Sequence, residues 1–505
     1  MVNEELEARL AALTTDAAPE ERRAILEVYA DWVEERGRPD MAHALRAFQP
    51  DGFRPVNLAV VESTAEEPPP WTRSRENFPD VTLPLELFVI DELIPREDKR
   101  PVEDRKDLRI TGETFDKHVA EAEISLALDL DAEGLGDGEV EVRINRLGDF
   151  EPDAVATQLS KLGVAADNLE GALRALFAKE QLRTVERTWR SLRWLLDRVR
   201  APVRVAIVNA TAEELIADFD DCPKLHQSGF FRIVNNHNHP GMRPSGAVVF
   251  GSQLRREPRG FRLVRTMAEV ARRKSLPLIA GTELELSSRW DWLAHTAPVG
   301  RHAIIATPSF VLRPAHPFES ARLEGSASYL VAARMAEAFC QHWGGGGLGG
   351  VLRGVELTRQ GGRNHSILAA SRGFTELYAR DGDVHLSDGA TASPSPTGSR
   401  SLDLHVIACR LGLQLQNYHF RQLWRSNNPE LLNPTRLAER LEAGLRRRLV
   451  NAHGFQVSLV DARYEEEPRS QFEGALEVGL SLELPATTGS GVVRHVERMT
   501  VRLEF

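Results

Sequence analysis

Apolar residues show their strongest periodicity over residues 182–209. Leu182, Val185, Trp189, Leu192 and Leu196 recur at intervals of 3, 4, 3 and 4, which places them on one face of a helix. Arg187, Arg190, Arg193 and Arg198 fall on its other faces. Pro202 ends the helix, because proline lacks an N–H and fixes φ. Val203, Val205, Ile207 and Val208 then make a short β-branched run that predicts a buried strand. Thr211 and Glu214 fit the capping box S/T-x-x-E, and Leu215, Ile216 and Phe219 give the next helix its apolar face. Helix, strand and helix in this order predict a piece of α/β core.

The rest of the chain divides around this stretch. Residues 1–48 read as a small all-helical module, with one stripe at Leu6, Leu10 and Leu13 and a second at Ile25, Val28, Tyr29, Trp32 and Val33, ended by Gly37 and Pro39. Residues 49–77, with EEPPPW at 66–71, read as an extended linker without a core. Residues 78–163 predict a strand at 83–91, a charged loop at 95–107, strands at 124–131 and 139–147, and a helix from Asp149 with Pro152 in its first turn. Residues 164–181 read as a connector. Residues 182–505 form the last unit. Its stretches 344–350 and 387–400 read as flexible connections. Residues 402–424 predict a helix, and Leu437, Leu441, Leu445 and Leu449 after the capping Thr435 predict another. Three alternating strands close the chain within 455–505. The expected class is α/β to α+β, with mixed sheets flanked by helices.

Composition narrows the function classes. The 505 residues suffice for roughly two to four domains. A net charge of −11 argues against a nucleic-acid partner, since counterion release needs a basic face, and none is expected. Cys222, Cys340 and Cys409 are far apart and odd in number, which argues against a disulfide framework or a zinc cluster. No apolar run approaches the ~20 residues of a membrane helix, and the acidic N-terminus is not a signal peptide, so membrane insertion is not expected and the cytoplasm is.

Candidate chemistry is sparse. His237 and His239 in NNHNHPGM are spaced to share a metal from a strand, but no third ligand lies near in sequence; a polar turn before Pro240 is the plainer reading. GGGGLGG at 344–350 lacks the GK[ST] ending of a phosphate loop. Acidic Asp220 and Asp221 beside Cys222 disfavour a thiolate nucleophile. Glu213, Glu214, Asp220 and Asp221 read as a solvated helix face. No catalytic, cofactor-binding or metal residues are therefore assigned, no cofactor is expected, and the chain is not expected to be an enzyme.

Several segments carry a resemblance. ERTWRSLRWLLDRV at 186–199 is similar to the E-x-T-W-R-G-L opening of the core of the large contractile-sheath subunit of bacterial type VI secretion systems. QSGFFRIV at 227–234, AEVARRKSLPLIAG at 268–281, TPSFVLRPAHPF at 307–318, EGSASYLVAARMAEAF at 324–339 and LRGVE at 352–356 resemble later segments of that subunit, in the same order. VEDRKDLRI at 102–110, ETFDKHV at 113–119 and DFEPDAV at 149–155 resemble the small sheath subunit. VYADWVEERGRPD at 28–40 resembles a short bacterial YADWLEERG-type module.

The resemblance implies a single-chain fusion of the two sheath subunits, a structural protein. It implies a helical polymer of the chain with itself, linked by strands exchanged between neighbours at the C-terminal strands and at 83–91. It further implies an inner tube of stacked rings, which the sheath surrounds and ejects by contracting, and a baseplate. The small-subunit-like unit stands in place of the extension whose helix a recycling AAA+ unfoldase recognises, which counts against recycling through that helix. The alternatives are a non-polymerising adaptor or scaffold derived from a sheath, and a metal-dependent hydrolase using the histidine-bearing loops.

Overall fold

The computed structural model describes residues 86–95, 100–201, 203–237, 246–254, 258–274, 276–283, 300–342, 350–360, 369 and 373–386, and the strand backbones 456–466, 474–488 and 491–504. The helical module 1–48, the linker 49–77, the loop 387–400 and the helices expected within 402–449 lie outside the described residues.

A seven-stranded sheet organises the rest. Its strands are β1 (Glu86–Asp91), β2 (Leu108–Ile110), β5 (Arg204–Asn209), β6 (Ala247–Leu254), β7 (Leu278–Thr282), β8 (Ala303–Thr307) and β12 (Phe374–Glu376), in the spatial order β12-β8-β7-β6-β1-β5-β2. Neighbours run parallel except β2, which is antiparallel to β5. Strands from the stretches before and after residue 163 thus alternate in one sheet, with β1 inside it.

Both faces of this sheet are covered, so its strands are apolar without alternation. Leu87 and Val89 of β1, Val205 and Ile207 of β5, and Ala247 and Val249 of β6 enter one core. Phe88 and Ile90, Ala206 and Val208, and Val248 and Phe250 enter the other. The first core is roofed by helices α1 (Phe115–Glu121), α2 (Pro152–Lys161), α3 (Leu169–Phe177), α4 (Glu180–Leu196) and α8 (Ala327–His342), and by a hairpin of β3 (Ile124–Asp129) and β4 (Glu139–Ile144). The hairpin alternates buried and exposed residues, as a half-covered sheet requires. Helices α5 (Ala212–Asp221), α6 (Gly229–His237) and α7 (Pro258–Arg273) roof the second core.

The helix expected from the 3-4-3-4 spacing is α4. All five of its stripe residues are buried, and Trp189 is among the largest fully buried side chains. The stretch 164–181, read as a connector, holds α3, whose Ala172, Leu173, Leu176 and Phe177 are core residues. Gly350, read as part of a flexible run, opens strand β11 (Gly350–Leu352).

Smaller sheets complete the fold. β9 (Phe310–Arg313) pairs with β10 (Leu323–Gly325), and β11 pairs with β14 (Asp383–Leu386), which also pairs with β13 (Tyr378–Arg380). The three closing strands expected from alternation are β15 (Gln456–Glu466), β16 (Gly474–Thr488) and β17 (Gly491–Glu504), an antiparallel meander.

The capping box is present in full. The Thr211 hydroxyl accepts from Glu214 N at 3.1 Å, and the Glu214 carboxylate accepts from Thr211 N at 2.8 Å. Thr211→Ala is expected to cost about 1 kcal/mol, read as a lowered denaturant midpoint with an unchanged slope.

Candidate functional site

The motif-bearing segments converge on α4. Glu186 sits on its apolar stripe and its side chain is fully buried, so it demands a cationic partner. Arg313, at the end of β9, supplies it through a forked contact, with Nε donating to Glu186 Oε1 at 2.7 Å. The same guanidinium reaches the buried Glu319, with Nη2 donating to its Oε1 at 3.0 Å. Arg183 donates to Glu319 at 3.0 Å. Arg190 bridges Glu186 and Glu151 at 2.6 Å each. Glu151 belongs to the DFEP segment, so a small-subunit-like motif and two large-subunit-like motifs meet in one ion network.

The electrostatics follow from that packing. Burial would lower the Arg313 guanidinium, but its hydrogen bonds to Glu186 and Glu319 outweigh that and raise it. Burial pushes the Glu319 carboxyl up, yet the Arg313 contact, the His316 N–H and Arg183 leave it lowered. Burial, then Arg313, lowers the His316 imidazole.

Two more contacts join the same halves. Arg105, from VEDRKDLRI, donates to both oxygens of Glu214 at 2.8 and 2.9 Å and to Asn209 O at 2.8 Å. Trp189 Nε1 donates to Leu93 O at 3.0 Å, and Phe115 meets the indole edge-on at 5.6 Å. Glu214 is therefore not part of a solvated face: its side chain is 10% exposed and serves both the helix cap and Arg105. Asp218, from the same acidic helix, accepts from Gly229 N at 2.6 Å and Phe230 N at 2.9 Å, which caps α6.

A second polar cluster lies at the carboxyl ends of the parallel strands, where the strand order reverses at β1 and β6. In open α/β sheets that crevice is where ligands bind. Here the protein's own side chains fill it. Tyr329 Oη of α8 donates to Asp91 Oδ2 at 2.8 Å, and Ser252 Oγ donates to Asp91 Oδ1 at 3.0 Å. Gly251 makes this fit possible: a Cβ there would strike the Asp91 carboxylate and the Tyr329 hydroxyl. Burial raises the Asp91 carboxyl against the opposing pull of Arg187, Tyr329, Glu92 N–H and Ser252. Burial, then Asp91, raises the Tyr329 hydroxyl.

Glu92 beside it is pushed up to about 7 by burial, then by Asp91, with Arg187 opposing and Glu213 and Glu214 adding. A carboxyl raised from 4.5 in this way favours the fold in its protonated form. Its stabilising contribution is complete below pH 4.5 and is lost as pH rises through about 7. Glu92→Gln is expected to match the parent below pH 4.5. Above pH 7.5 it should exceed the parent by on the order of 1–3 kcal/mol, measured as unfolding midpoints across that range.

Burial, then Asp218 and Glu103, pushes the Cys222 thiol up; Asp221 adds least, and Asp220 instead pairs with Arg262 at 2.6 Å. Among the described residues no group of three or more His, Cys, Asp or Glu could hold a metal ion. His237 ends helix α6, while His239, and 344–349 of the glycine run, lie outside the described residues. Among the described residues no helix is long and apolar enough to cross a membrane.

Comparison with known families bears on this arrangement. Residues 73–196 match the family model described as type VI secretion system, VipA, VC_A0107 or Hcp2. Residues 164–312 match the model described as VipB: EvpB/VC_A0108, tail sheath N-terminal domain. The chain resembles a small sheath subunit fused to a large one. The two matches overlap over 164–196, the α3–α4 stretch in which small-subunit-like and large-subunit-like segments meet. A comparison with curated proteins gives no match. Two solved structures show weak likeness. One is the cryo-EM structure of an extracellular contractile injection system, PVC sheath complex in the contracted state, at 11% identity over 62% of this chain and 76% of that one, TM-score 0.34. The other is the cryo-EM structure of the anti-feeding prophage (AFP) baseplate, at 10% identity over 84% and 90%, TM-score 0.40.

Proposed function

We propose that this chain is the single-chain subunit of a contractile sheath of the type VI secretion kind, acting in the cytoplasm. Copies stack head-to-tail into a helical tube around an inner tube of rings, anchored on a baseplate, and contraction ejects the inner tube. The two consecutive family matches carry this reading. Such a protein stores work in an extended lattice and needs no catalytic group.

The linkage between copies is assigned to the terminal meander. β15 and β17 each pair with β16 alone among the described residues, so each offers an outer edge of 11 or 14 residues for a neighbour's strand. Heterologous contacts whose rotation does not close give filaments, which is the geometry a helical tube requires. The strand at 83–91, expected from the resemblance to take part in linkage, is not available: β1 is paired on both sides inside the sheet. Residues 78–163 and 182–505 are proposed as the two ancestral subunits, with 1–48 an accessory module on the 49–77 linker.

Sedimentation tests the reading. The full chain is expected to pellet as large assemblies, and a chain ending at Thr488, which lacks β17, to stay in the supernatant. Equal solubility of both as monomers would overturn self-assembly through the meander.

A further inference from the structure

The groove that β1 occupies has the features of a receptor. Residues from Arg204 onward form both its walls: β5 pairs with β1 from Glu86↔Arg204 to Asp91↔Asn209, and β6 pairs with it from Leu87↔Ala247 to Ile90↔Phe250. All six β1 residues are buried, two apolar side chains facing each core. The far end of the groove is polar and specific. Tyr329 and Ser252 present hydroxyl donors to the Asp91 carboxylate, and Ala210 N donates to Asp91 O at 3.1 Å. The next turn of chain is gripped by Asn209 Oδ1, which accepts from Leu93 N at 2.8 Å, and by Trp189 Nε1 on Leu93 O. Gly246 N donates to Glu86 O at the entrance. Every one of these partners lies C-terminal to residue 181, while the strand they hold lies in the small-subunit-like stretch.

We infer that the β5–β6 groove is a strand-receiving site for an apolar strand ended by aspartate, and that β1 of the same chain fills it and thereby excludes a separate small sheath subunit. Chemistry supports the specificity: without the carboxylate, the buried Tyr329 hydroxyl and the part-buried Ser252 hydroxyl lose their acceptor. Linkage supports the exclusion. A tethered strand faces its groove at an effective concentration of about 1 mM, so it outcompetes a strand supplied in trans at ~10 μM by on the order of 100-fold. The inference deepens the sheath reading by naming a partner this chain does without. Its test reads groove occupancy rather than tube formation, so either can fail without the other.

Cross-linking between register partners provides the test. Val89 and Val249 face each other across β1 and β6, and neighbouring strands lie at a spacing a disulfide can span. In full-length chains whose native cysteines are replaced by serine, Val89→Cys and Val249→Cys are placed either in one chain or in two separately purified chains that are mixed at ~10 μM. On mild oxidation the doubly substituted chain should close an intramolecular bridge, while the mixture should give about 100-fold less intermolecular bridge. Comparable bridging in the mixture would overturn cis occupancy.

A second arm reads the specificity. The Val249→Cys chain is given Asp91→Asn to loosen its own strand, and donors carrying Val89→Cys with Asp91 or with Asp91→Asn are compared. The aspartate donor should cross-link several-fold more. Equal yields from both donors would remove the carboxylate from the recognition.

Discussion

Replacing Arg313 by alanine is expected to cost about 3–5 kcal/mol of stability, because it strands buried charge. Glu186 and Glu319 have fully buried side chains, and Arg313 is the cation that both share. Arg190 and Arg183 each remain on one of them, but both are partly exposed and neither engages both oxygens of its buried carboxylate. The loss should appear as a fall in the denaturant midpoint. A companion chain separates charge from packing. Replacing Arg313, Glu186 and Glu319 together by methionine removes the stranded charge, and such replacements are often neutral or stabilising. That chain should recover most of the midpoint. If it falls as far as Arg313→Ala, the residues matter through shape rather than through their ion network.

Trp189→Ala should cost a similar ~3–5 kcal/mol, here from a cavity. The indole is fully buried, packs edge-on against Phe115, and donates to Leu93 O just beyond β1. Trp189→Phe keeps most of the volume but leaves the Leu93 carbonyl without its donor, so about 1–3 kcal/mol is expected. Because the contact clamps the exit of β1, both variants should also speed amide exchange at Leu93 and Glu92 relative to β7. A uniform loss of protection across the sheet would assign Trp189 to the general core instead of to the strand's anchorage.

These two residues show how much was legible in the sequence. The α4 helix, its buried stripe, β5, the capping box and the terminal strands could be read because each depends on residues close in sequence. That 83–91 forms a strand could be read from its apolar run, since sheets covered on both faces need no alternation. The position of β1 could not be read. Its partners begin 118 residues later, at Glu86↔Arg204, and nothing local fixes which strand pairs with which. Its apolar run suited an edge strand lent to a neighbour as well as a central one.

Glu186 leaves a signal in the sequence. It lies four residues after Leu182 and three before Trp189, squarely on the apolar stripe, and a carboxylate there calls for a buried cation. Arg313 itself left none, because its role depends on the β9 turn reaching back to α4. Acids on a helix usually face water, so the local sequence points Glu214 to solvent; the arginine that buries it, Arg105, sits 109 residues away. The site at Asp91 was equally silent, since it exists only where β1, β6 and α8 meet.

Electron microscopy of the purified chain in negative stain addresses the central claim most directly. Hollow helical tubes are expected from the full chain, and none from a chain ending at Thr488. Discrete particles from the full chain, unchanged when an inner-tube ring protein is added as a template, would contradict the assignment as a sheath.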